Sequence, residues 1–257
     1  MIRYFAHKTC KDEKNSACIT IRGCRITCLD LETFFSDLEK FISRGVPAQI
    51  VTLNSLMVEG SIRDKEMETI LRESEISVID SVGIQCAVFL KYGLWPGKLP
   101  GIDLVRRLAA WGRTKRLSFF LYGGRESSNR LTAERLKAEF PGLTVAGRSD
   151  GFSEDENVMA DKIRSSGADI LLVGLDAARQ EKWIRRNLKR TGTKAAIGIG
   201  GSFDVLSGTL PRSPGFLRSA GLEWLFRFLI EPWRIGRILR LPVFIIKLFF
   251  WSFKRCL

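Results

Sequence analysis

The chain has 257 residues, which is enough for one large α/β domain or for a compact domain with an appendage. Hydrophobic residues make up 45% of the sequence and charged residues 27%, with only 8 prolines; this composition excludes a mostly disordered, collagen-like or polytopic membrane chain. The 41 basic residues outnumber the 28 acidic ones, and the formal net charge of +13 predicts an anionic partner: phosphate, nucleic acid or an acidic membrane surface.

The residues before about Thr27 have the pattern of a small strand-and-turn unit, to which the sequence assigns no role. An amphipathic helix follows, with Asp30 placed to cap its N-terminus. The apolar residues of this helix recur at helical spacing on one stripe: Leu31, Phe34, Phe35, Leu38, Phe41 and Ile42.

From about residue 49 to residue 200, short apolar runs alternate with helix-period segments. The predicted strands are residues 49–53, 76–80, 117–122, 143–147, 169–173 and 195–199. The predicted helices between them start after Ser55, Gly101, Glu126, Glu154 and Gln180. This alternation is typical of a Rossmann-like α/β fold, which is a mostly parallel sheet flanked by helices. We assign it to a core formed by residues 1–211.

The composition changes near Arg212, and residues 212–257 are predicted to form a helical, basic C-terminal appendage. Nine of these residues are Lys or Arg and two are acidic, so the appendage carries more than half of the net charge. Pro232 and Pro242 divide it into two or three short helices, of which residues 233–240 form an amphipathic basic one. Tryptophans mixed with basic residues beside apolar runs favour an anionic membrane surface as the partner.

The apolar run at residues 241–253 is too short and too interrupted for a spanning helix, so we expect it to lie in one leaflet. The N-terminal residues lack the pattern of a signal peptide. The 6 cysteines include no CxxC pair and His7 is the single histidine, which predicts reduced thiols and no metal site. These features predict a cytoplasmic protein that is peripheral on the inner face of the cell membrane.

Ligands of an open parallel sheet bind at the carboxyl ends of its strands. The residues to inspect at these predicted ends are Thr52, Asn54, Asp80, Gly123, Gly124, Asp150 and Gly151, together with residues 174–180, which include Gln180, and residues 198–204, which end at Asp204. Asp80 either caps a helix that starts at Ser81 or acts as a base in the crevice. Thr52 and Asn54 either face that crevice or form the turn, and the glycines either admit a phosphate or make turns. Neither a GxGxxG fingerprint nor a P-loop motif is present.

Distinctive short motifs follow one another along the chain. They are TLN (52–54), VIDSVG (78–83), PGIDL (100–104), FFLYGG (119–124), FPGLTVAGRSDGF (140–152), DILLVGL and RQEKWI (within 169–184), GIGGSFDVLSG (198–208), RSP (212–214) and GLEWLFRFLIEPWR (221–234). In this order they resemble the WecG/TagA/CpsF glycosyltransferase family over roughly residues 19–240. The last motif is highly specific.

The resemblance implies a bacterial, inverting, metal-independent glycosyltransferase without a cofactor. Its reaction would move a sugar from a UDP-sugar donor to a polyprenyl-diphosphate-linked saccharide, a lipid-linked GlcNAc, at the cytosolic membrane face. Such transfer serves cell-wall, common-antigen or exopolysaccharide synthesis. The donor stays open among UDP-N-acetylmannosamine, its uronic acid and a UDP-hexose.

The resemblance also implies roles for individual residues. Asp80 corresponds to the family's proposed base, and Thr52 and Asn54 to its active-site neighbours. The arginines proposed to reach the donor diphosphate fall on Arg227, Arg234 and Arg237 in the appendage. The remaining substrate-binding candidates are Lys98, Gly123, Gly124, Asp150, Gly151 and Gln180. Docking on the membrane is then expected to fold the appendage over the cleft.

Four positions depart from the family pattern: Ser81 follows the base in place of glycine, Lys98 replaces an arginine, Asp176 adds a carboxylate, and Ser213 replaces an alanine. These departures leave the donor sugar open. The alternative function is a catalytically weak membrane-surface module that binds a nucleotide sugar or scaffolds polysaccharide enzymes. Nucleic-acid binding by the tail is the least favoured reading, and a homo-oligomer is left open.

Overall fold

The computed structural model describes residues 18–152 and 155–232, together with Gly236 and Phe244. The strands are β1 (Ile19–Ile21), β2 (Cys24–Ile26), β3 (Ala48–Leu53), β4 (Ile76–Ile79), β5 (Ser118–Gly123), β6 (Thr144–Ser149), β7 (Ile170–Gly174) and β8 (Ala195–Gly198). The helices are α1 (Leu31–Ser43), α2 (Ser55–Ser61), α3 (Lys65–Glu73), α4 (Val82–Tyr92), α5 (Gly101–Thr114), α6 (Glu126–Glu139), α7 (Glu156–Ser166), α8 (Ala177–Thr191), α9 (Ser202–Leu206), α10 (Gly215–Ser219) and α11 (Glu223–Ile230).

Six strands form one parallel sheet in the order β4-β3-β8-β7-β5-β6. Each of the six predicted strands is present to within about two residues, so the predicted α/β fold class is confirmed. The chain runs from β3 outward to β4 on one side, and it places β5 to β8 on the other side of β3. This reversal of strand order opens a crevice beyond the carboxyl ends of β3 and β8.

Helices cover both faces of the sheet because neighbouring residues of a strand point to opposite sides. Ile50 of β3 packs in a cluster with Phe34 of α1 and Leu108 of α5. Val51, the next residue, packs on the other face with Met57 of α2 and with residues of α3 and α4. Complete burial of each such side chain stabilises the fold by roughly 1.5–3 kcal/mol. Continuous apolar strands buried on both faces are what a parallel sheet requires.

The predicted strand-and-turn unit is confirmed for its described residues. β1 and β2 pair antiparallel through a two-residue turn at Arg22 and Gly23, both of which have positive φ (51° and 83°). Such left-handed pairs match the twist of a tight hairpin. The hairpin is held to the end of α4 by Tyr92, whose hydroxyl donates to the Thr20 carbonyl oxygen at 2.9 Å.

Helix starts agree with the sequence at α1 and differ at α8. Asp30 caps α1 as predicted, since its carboxylate accepts a hydrogen bond from the Thr33 N–H at 2.8 Å. The predicted start after Gln180 is wrong, because α8 begins at Ala177. The Gln180 N–H already donates to the Asp176 carbonyl oxygen at 2.8 Å, which is the first helical hydrogen bond. Gln180 and its neighbours therefore lie in the first turn, close to the strand ends.

Two short helices, α10 and α11, occupy the start of the predicted appendage. The predicted basic helix at residues 233–240, including Arg234 and Arg237, lies outside the described residues. Phe244 is described, and it is buried in the same cluster as Ile84 and Val88 of α4. In the described part of the chain, no helix is long and apolar enough to cross a membrane.

Candidate active site

A cavity of about 760 Å³ opens at the carboxyl edge of the sheet. The ends of β3, β4 and β8 and the first turns of α2, α4, α5 and α8 form its floor, and α11 forms part of its wall. The residues predicted from the sequence that line it are Thr52, Asn54, Asp80, Lys98, Gly124, Gln180 and Arg227. The crevice of the fold therefore brings together residues that are up to 175 positions apart in the chain.

Asp80 follows β4 and faces this cavity. Its carboxylate Oδ1 accepts a hydrogen bond of 3.0 Å from the N–H of Gly101, the first residue of α5. The alternative that Asp80 caps the helix after it is wrong, because Ser81 is the N-cap residue of α4. Asp80 instead occupies the N-terminus of a different helix, where the helix dipole favours a negative charge.

Burial raises the pKa of Asp80 from its ordinary value of 3.8 to about 6. The Gly101 N–H lowers this pKa, the nearby Glu223 carboxylate raises it further, and the positive charges of Arg227 and Lys98 lower it. Burial is the largest of these effects. The result is a carboxylate that is ionised at neutral pH but basic enough to accept a proton.

Thr52 and Asn54 line the cavity and also hold the backbone around it. The Thr52 hydroxyl donates to the Gly198 carbonyl oxygen at 2.9 Å, which ties the end of β3 to the end of β8. The Asn54 side-chain oxygen accepts from the N–H groups of Leu56 and Met57, both at 3.1 Å, and so caps α2. Since Asn54 uses its oxygen as a cap, its amide nitrogen is the part of the side chain that remains to donate to a ligand.

The described lining contains two cations, Lys98 and Arg227. The Lys98 ammonium donates to the Arg218 carbonyl oxygen at 3.2 Å, which connects the loop before α5 with the end of α10. Arg227 lies on α11, and its Nη2 donates to the Gly201 carbonyl oxygen at 3.3 Å in the turn after β8. Both cations are close enough to Asp80 to lower its pKa.

The backbone is closely packed at the strand ends, and at Gly123 it leaves no room for a side chain. A Cβ on Gly123, which has φ +107°, would approach the Gly174 carbonyl oxygen to 2.5 Å. The Gly124 N–H donates to that same oxygen at 2.8 Å, and the Gly151 N–H donates to the Gly124 carbonyl oxygen at 3.2 Å. Asp150 accepts from the Phe152 N–H at 2.9 Å. Of these residues Gly124 lines the cavity, whereas Gly123, Asp150 and Gly151 lie beside it.

Gln180 contacts the cavity from the first turn of α8, although its side chain is almost completely buried. Its Oε1 accepts from the Gly200 N–H at 2.8 Å, and its Nε2 donates to Glu181 Oε1 at 3.0 Å. Both polar ends of the Gln180 amide are therefore used by the protein. In this structure Gln180 holds the turn that follows β8.

Two of the four departures, Ser81 and Lys98, make hydrogen bonds that join segments around the cavity. The Ser81 hydroxyl lies 3.2 Å from the Ser55 hydroxyl and accepts from the Ser55 N–H at 3.3 Å, so it joins the end of β4 to the start of α2. Asp176 is the N-cap residue of α8 and lines the cavity. Beside Ser213, Arg212 forms an ion pair of 2.6 Å with Asp103 of α5, which fixes the start of the appendage to the core.

Sequence reasoning missed two carboxylates of the lining, Asp64 and Glu223, and it placed Asp204 at a strand end without giving it a role. Asp64 pairs with Lys182 at 2.6 Å, and Asp204 accepts from the Ser128 hydroxyl at 2.7 Å. Glu223 belongs to the GLEW motif, which was the signal that could have found it. Within the described residues, no group of three or more His, Cys, Asp or Glu is arranged to hold a metal ion.

The sequence model of the glycosyl transferase WecG/TagA/CpsF family matches residues 19–256. The chain is similar to curated proteins named N-acetylglucosaminyldiphosphoundecaprenol N-acetyl-beta-D-mannosaminyltransferase. It is 31% identical to that of Bacillus subtilis (strain 168) over 225 residues, which are 87% of this chain and 88% of the relative. It is 32% identical to that of Bacillus spizizenii over 217 residues, 84% of each chain. The protein of Staphylococcus aureus (strain MRSA252) is 23% identical over 242 residues, 93% of this chain and 95% of the relative.

Proposed function

The chain belongs to the WecG/TagA/CpsF glycosyltransferase family, and we propose that it transfers N-acetylmannosamine from UDP to GlcNAc carried on a polyprenyl diphosphate. The acceptor follows from the names of the relatives, each of which acts on N-acetylglucosaminyldiphosphoundecaprenol. The observation that carries the proposal is the position of Asp80: a carboxylate of raised pKa at the floor of a large cavity, near Lys98 and Arg227.

In the proposed mechanism Asp80 is the general base. It takes the proton of the acceptor hydroxyl while that oxygen forms a bond to the anomeric carbon of the donor sugar. The bond from this carbon to the UDP oxygen breaks on the opposite face, so the configuration inverts. Proton transfer to a positioned base of this kind contributes about 10²–10⁴-fold to a rate. The pKa of about 6 places Asp80 in the range where such a base is effective near neutral pH.

The departing UDP gains negative charge, which the site must stabilise. Arg227 and Lys98 are the cations of the described lining, and the first turns of α4 and α8 also begin at the cavity. Guanidinium groups and helix N-termini both favour a diphosphate. Arg234 and Arg237 lie outside the described residues, and we propose that they add to this positive charge.

The charges of the lining favour an uncharged donor sugar. Five carboxylates line the cavity, from Asp64, Asp80, Asp176, Asp204 and Glu223, against the two cations of the described residues. The cations are needed for the diphosphate, and a uronic acid would add a carboxylate among like charges. This balance supports UDP-N-acetylmannosamine over its uronic acid, in agreement with the relatives' names.

We further propose that residues 212–257 form an appendage that holds the enzyme on the inner face of the membrane. The support is its basic and aromatic composition, the lipid-linked acceptor of the relatives, and the contribution of Glu223 and Arg227 to the cavity. On this proposal the appendage begins at the Arg212–Asp103 ion pair and completes the site.

The test is UDP release by the purified full-length chain with an undecaprenyl-diphosphate-GlcNAc analogue and one of three donors. We expect turnover with UDP-N-acetylmannosamine, and slow or no turnover with its uronic acid and with UDP-glucose. Faster turnover with either of the latter would refute the donor assignment. No turnover with any donor, together with tight binding to anionic vesicles, would favour a membrane-surface module instead.

A further inference from the structure

A second buried carboxyl group, that of Glu181, lies beneath the cavity and is not used by the mechanism above. Its side chain on α8 has no solvent exposure. Its Oε1 accepts from Gln180 Nε2 at 3.0 Å and its Oε2 accepts from Gln49 Nε2 at 2.9 Å. No Lys or Arg pairs with it among the described residues. Burying a carboxylate with amide donors alone is costly, so its presence needs an explanation.

The Glu181 carboxylate determines how the neighbouring Gln180 amide is oriented. A carboxylate only accepts hydrogen bonds, so above the pKa of Glu181, which burial raises to about 7, Gln180 must present its NH₂ group to Glu181. The Gln180 oxygen then points the other way, where it accepts from the Gly200 N–H at 2.8 Å. If the Gln180 side-chain amide were rotated by 180°, its NH₂ group would face the Gly200 N–H, and two donors cannot form a hydrogen bond. The charge on Glu181 therefore selects one orientation of Gln180 and one position of the Gly200 turn.

The Gly200 turn connects this network to the cavity. Gly200 and Gly201 line the cavity, and the Gly201 carbonyl oxygen accepts from Arg227 Nη2 at 3.3 Å. Glu181 also lies against Gly198, where a Cβ would overlap its Oε1. The Gly198 carbonyl oxygen is the acceptor for the Thr52 hydroxyl.

We propose that Glu181 is a positioning residue, which through Gln180 fixes the turn after β8 so that the turn and Arg227 receive the donor diphosphate. This inference rests on the proposed function, because it assigns the turn to donor binding. Glu181 itself does not touch the cavity.

The test is Glu181→Gln in the full-length chain at pH 8, where Glu181 of the wild type is mostly ionised. The substitution keeps the size of the side chain but removes its acceptor-only character. We expect the KM for the UDP-sugar and the Kd for UDP to rise about tenfold, as for the loss of a hydrogen bond to a charged group. The kcat should change less than threefold. A merely structural role would instead lower the active fraction and leave KM unchanged.

The matched control is Glu75→Gln. Glu75 also accepts from Gln49, but from its backbone N–H at 2.9 Å, and among the described residues it makes no hydrogen bond to Gln180 or to the turn after β8. We expect its KM and Kd to equal those of the wild type. If Glu181→Gln does not fold, Gln180→Met removes the same link between Glu181 and Gly200 and should give the same rise in KM.

Amide hydrogen exchange gives a second readout that does not depend on the reaction. Exchange of the Gly200 N–H should be about tenfold or more faster in Glu181→Gln, since its acceptor is no longer held. Exchange of the Ile199 N–H, which donates to the Val173 carbonyl oxygen, should not change. Unchanged exchange at Gly200, or an unchanged Kd for UDP, would overturn the positioning role. A wild type that does not bind UDP would instead overturn the proposed function.

Discussion

Asp80 and Glu181 are two carboxyl groups near the same edge of the sheet; Asp80 is partly exposed to the cavity, whereas Glu181 is completely buried. Burial raises both pKa values, that of Asp80 to about 6 and that of Glu181 to about 7. Asp80 borders an open cavity and receives one backbone N–H, with Lys98 and Arg227 nearby. Glu181 is sealed and receives two side-chain amides. A raised pKa thus marks both groups, and access to the cavity separates the proposed base, Asp80, from the proposed positioning residue, Glu181.

The backbone positions of the two residues produce this difference. Asp80 follows the last residue of β4, where the sheet ends and a ligand can approach. Glu181 lies on α8 and faces Gln49 of β3, in the interior between helix and sheet. We expect substitutions at Asp80 to act on the chemical step and substitutions at Glu181 to act on donor binding. The following predictions test this contrast from the largest effect to the smallest.

Asp80→Asn should lower kcat by at least about 10³-fold, because the amide cannot take the acceptor proton. It should not destabilise the fold. At pH 8 the wild type buries a charge that Asn lacks, so the variant should melt about 2–4 °C higher. The measurements are UDP release and thermal unfolding.

The size of this stability effect depends on pH. The pKa of Asp80 is raised in the folded state, so the wild type loses stability as pH rises from about 4 to about 6. At pH 5 Asp80 is largely protonated and the melting temperatures of variant and wild type should approach each other. A variant that is less stable at pH 8 would mean that the Asp80 charge supports the fold. Retained activity would place the base elsewhere.

Arg227→Met should lower kcat/KM about 100-fold, because a guanidinium that stabilises charge on the leaving group is lost. Arg227→Lys should retain part of the activity, since lysine keeps the positive charge but lacks the planar guanidinium group that can donate two hydrogen bonds to a phosphate. Arg190→Met is the control: Arg190 of α8 forms an exposed ion pair with Asp161 of α7, and the loss of this pair should change kcat/KM less than twofold. Equal losses in the Arg227 and Arg190 variants would argue against a donor-binding role for α11.

The pH dependence of kcat/KM should show an acidic limb near pH 6. The base must be ionised to act, so activity rises with pH through the pKa of Asp80 and falls about tenfold per unit below it. Glu181 titrates in a sealed site, and Glu181→Gln should leave this limb in place. A limb that moves or disappears in Glu181→Gln would assign it to Glu181.

Thr52→Val should lower both activity and stability by small amounts. The Thr52 hydroxyl joins β3 to the Gly198 carbonyl oxygen, between the Asp80 region and the Glu181 region. Loss of this buried hydrogen bond should cost about 1 kcal/mol in the free energy of unfolding and about tenfold in kcat/KM. Urea unfolding and UDP release measure the two effects. A large loss of stability without loss of activity would show that Thr52 serves the fold alone.

Lys98→Arg should have the smallest effect, a change in kcat/KM of less than about threefold. An arginine at this position keeps the positive charge near Asp80 and can still donate to the Arg218 carbonyl oxygen. Lys98→Met, which removes the charge, should lower kcat/KM more strongly. Equal activity in both variants would exclude Lys98 from binding the diphosphate.

Much of the fold follows from local sequence patterns. The six apolar strand runs and the Asp30 cap were predicted because β-branched runs and capping residues act over a few positions. The grouping of Thr52, Asn54 and Asp80 was predicted because the carboxyl ends of neighbouring parallel strands meet at one edge. The start of α8 was misplaced, because the sequence does not show which residue makes the first helical hydrogen bond.

The sequence alone determined the kind of fold, the edge at which the cavity opens and the chemical types present there, since apolar periodicity and strand ends are local properties. The tertiary structure decided which partner each polar group takes. Asp80 accepts from Gly101, Thr52 donates to Gly198, and Glu181 lies against Gln49. These pairs are far apart in the chain and meet only when the sheet closes. The pKa of a carboxyl group depends on such distant neighbours and on burial, so the difference between base and scaffold could not be predicted from the order of residues.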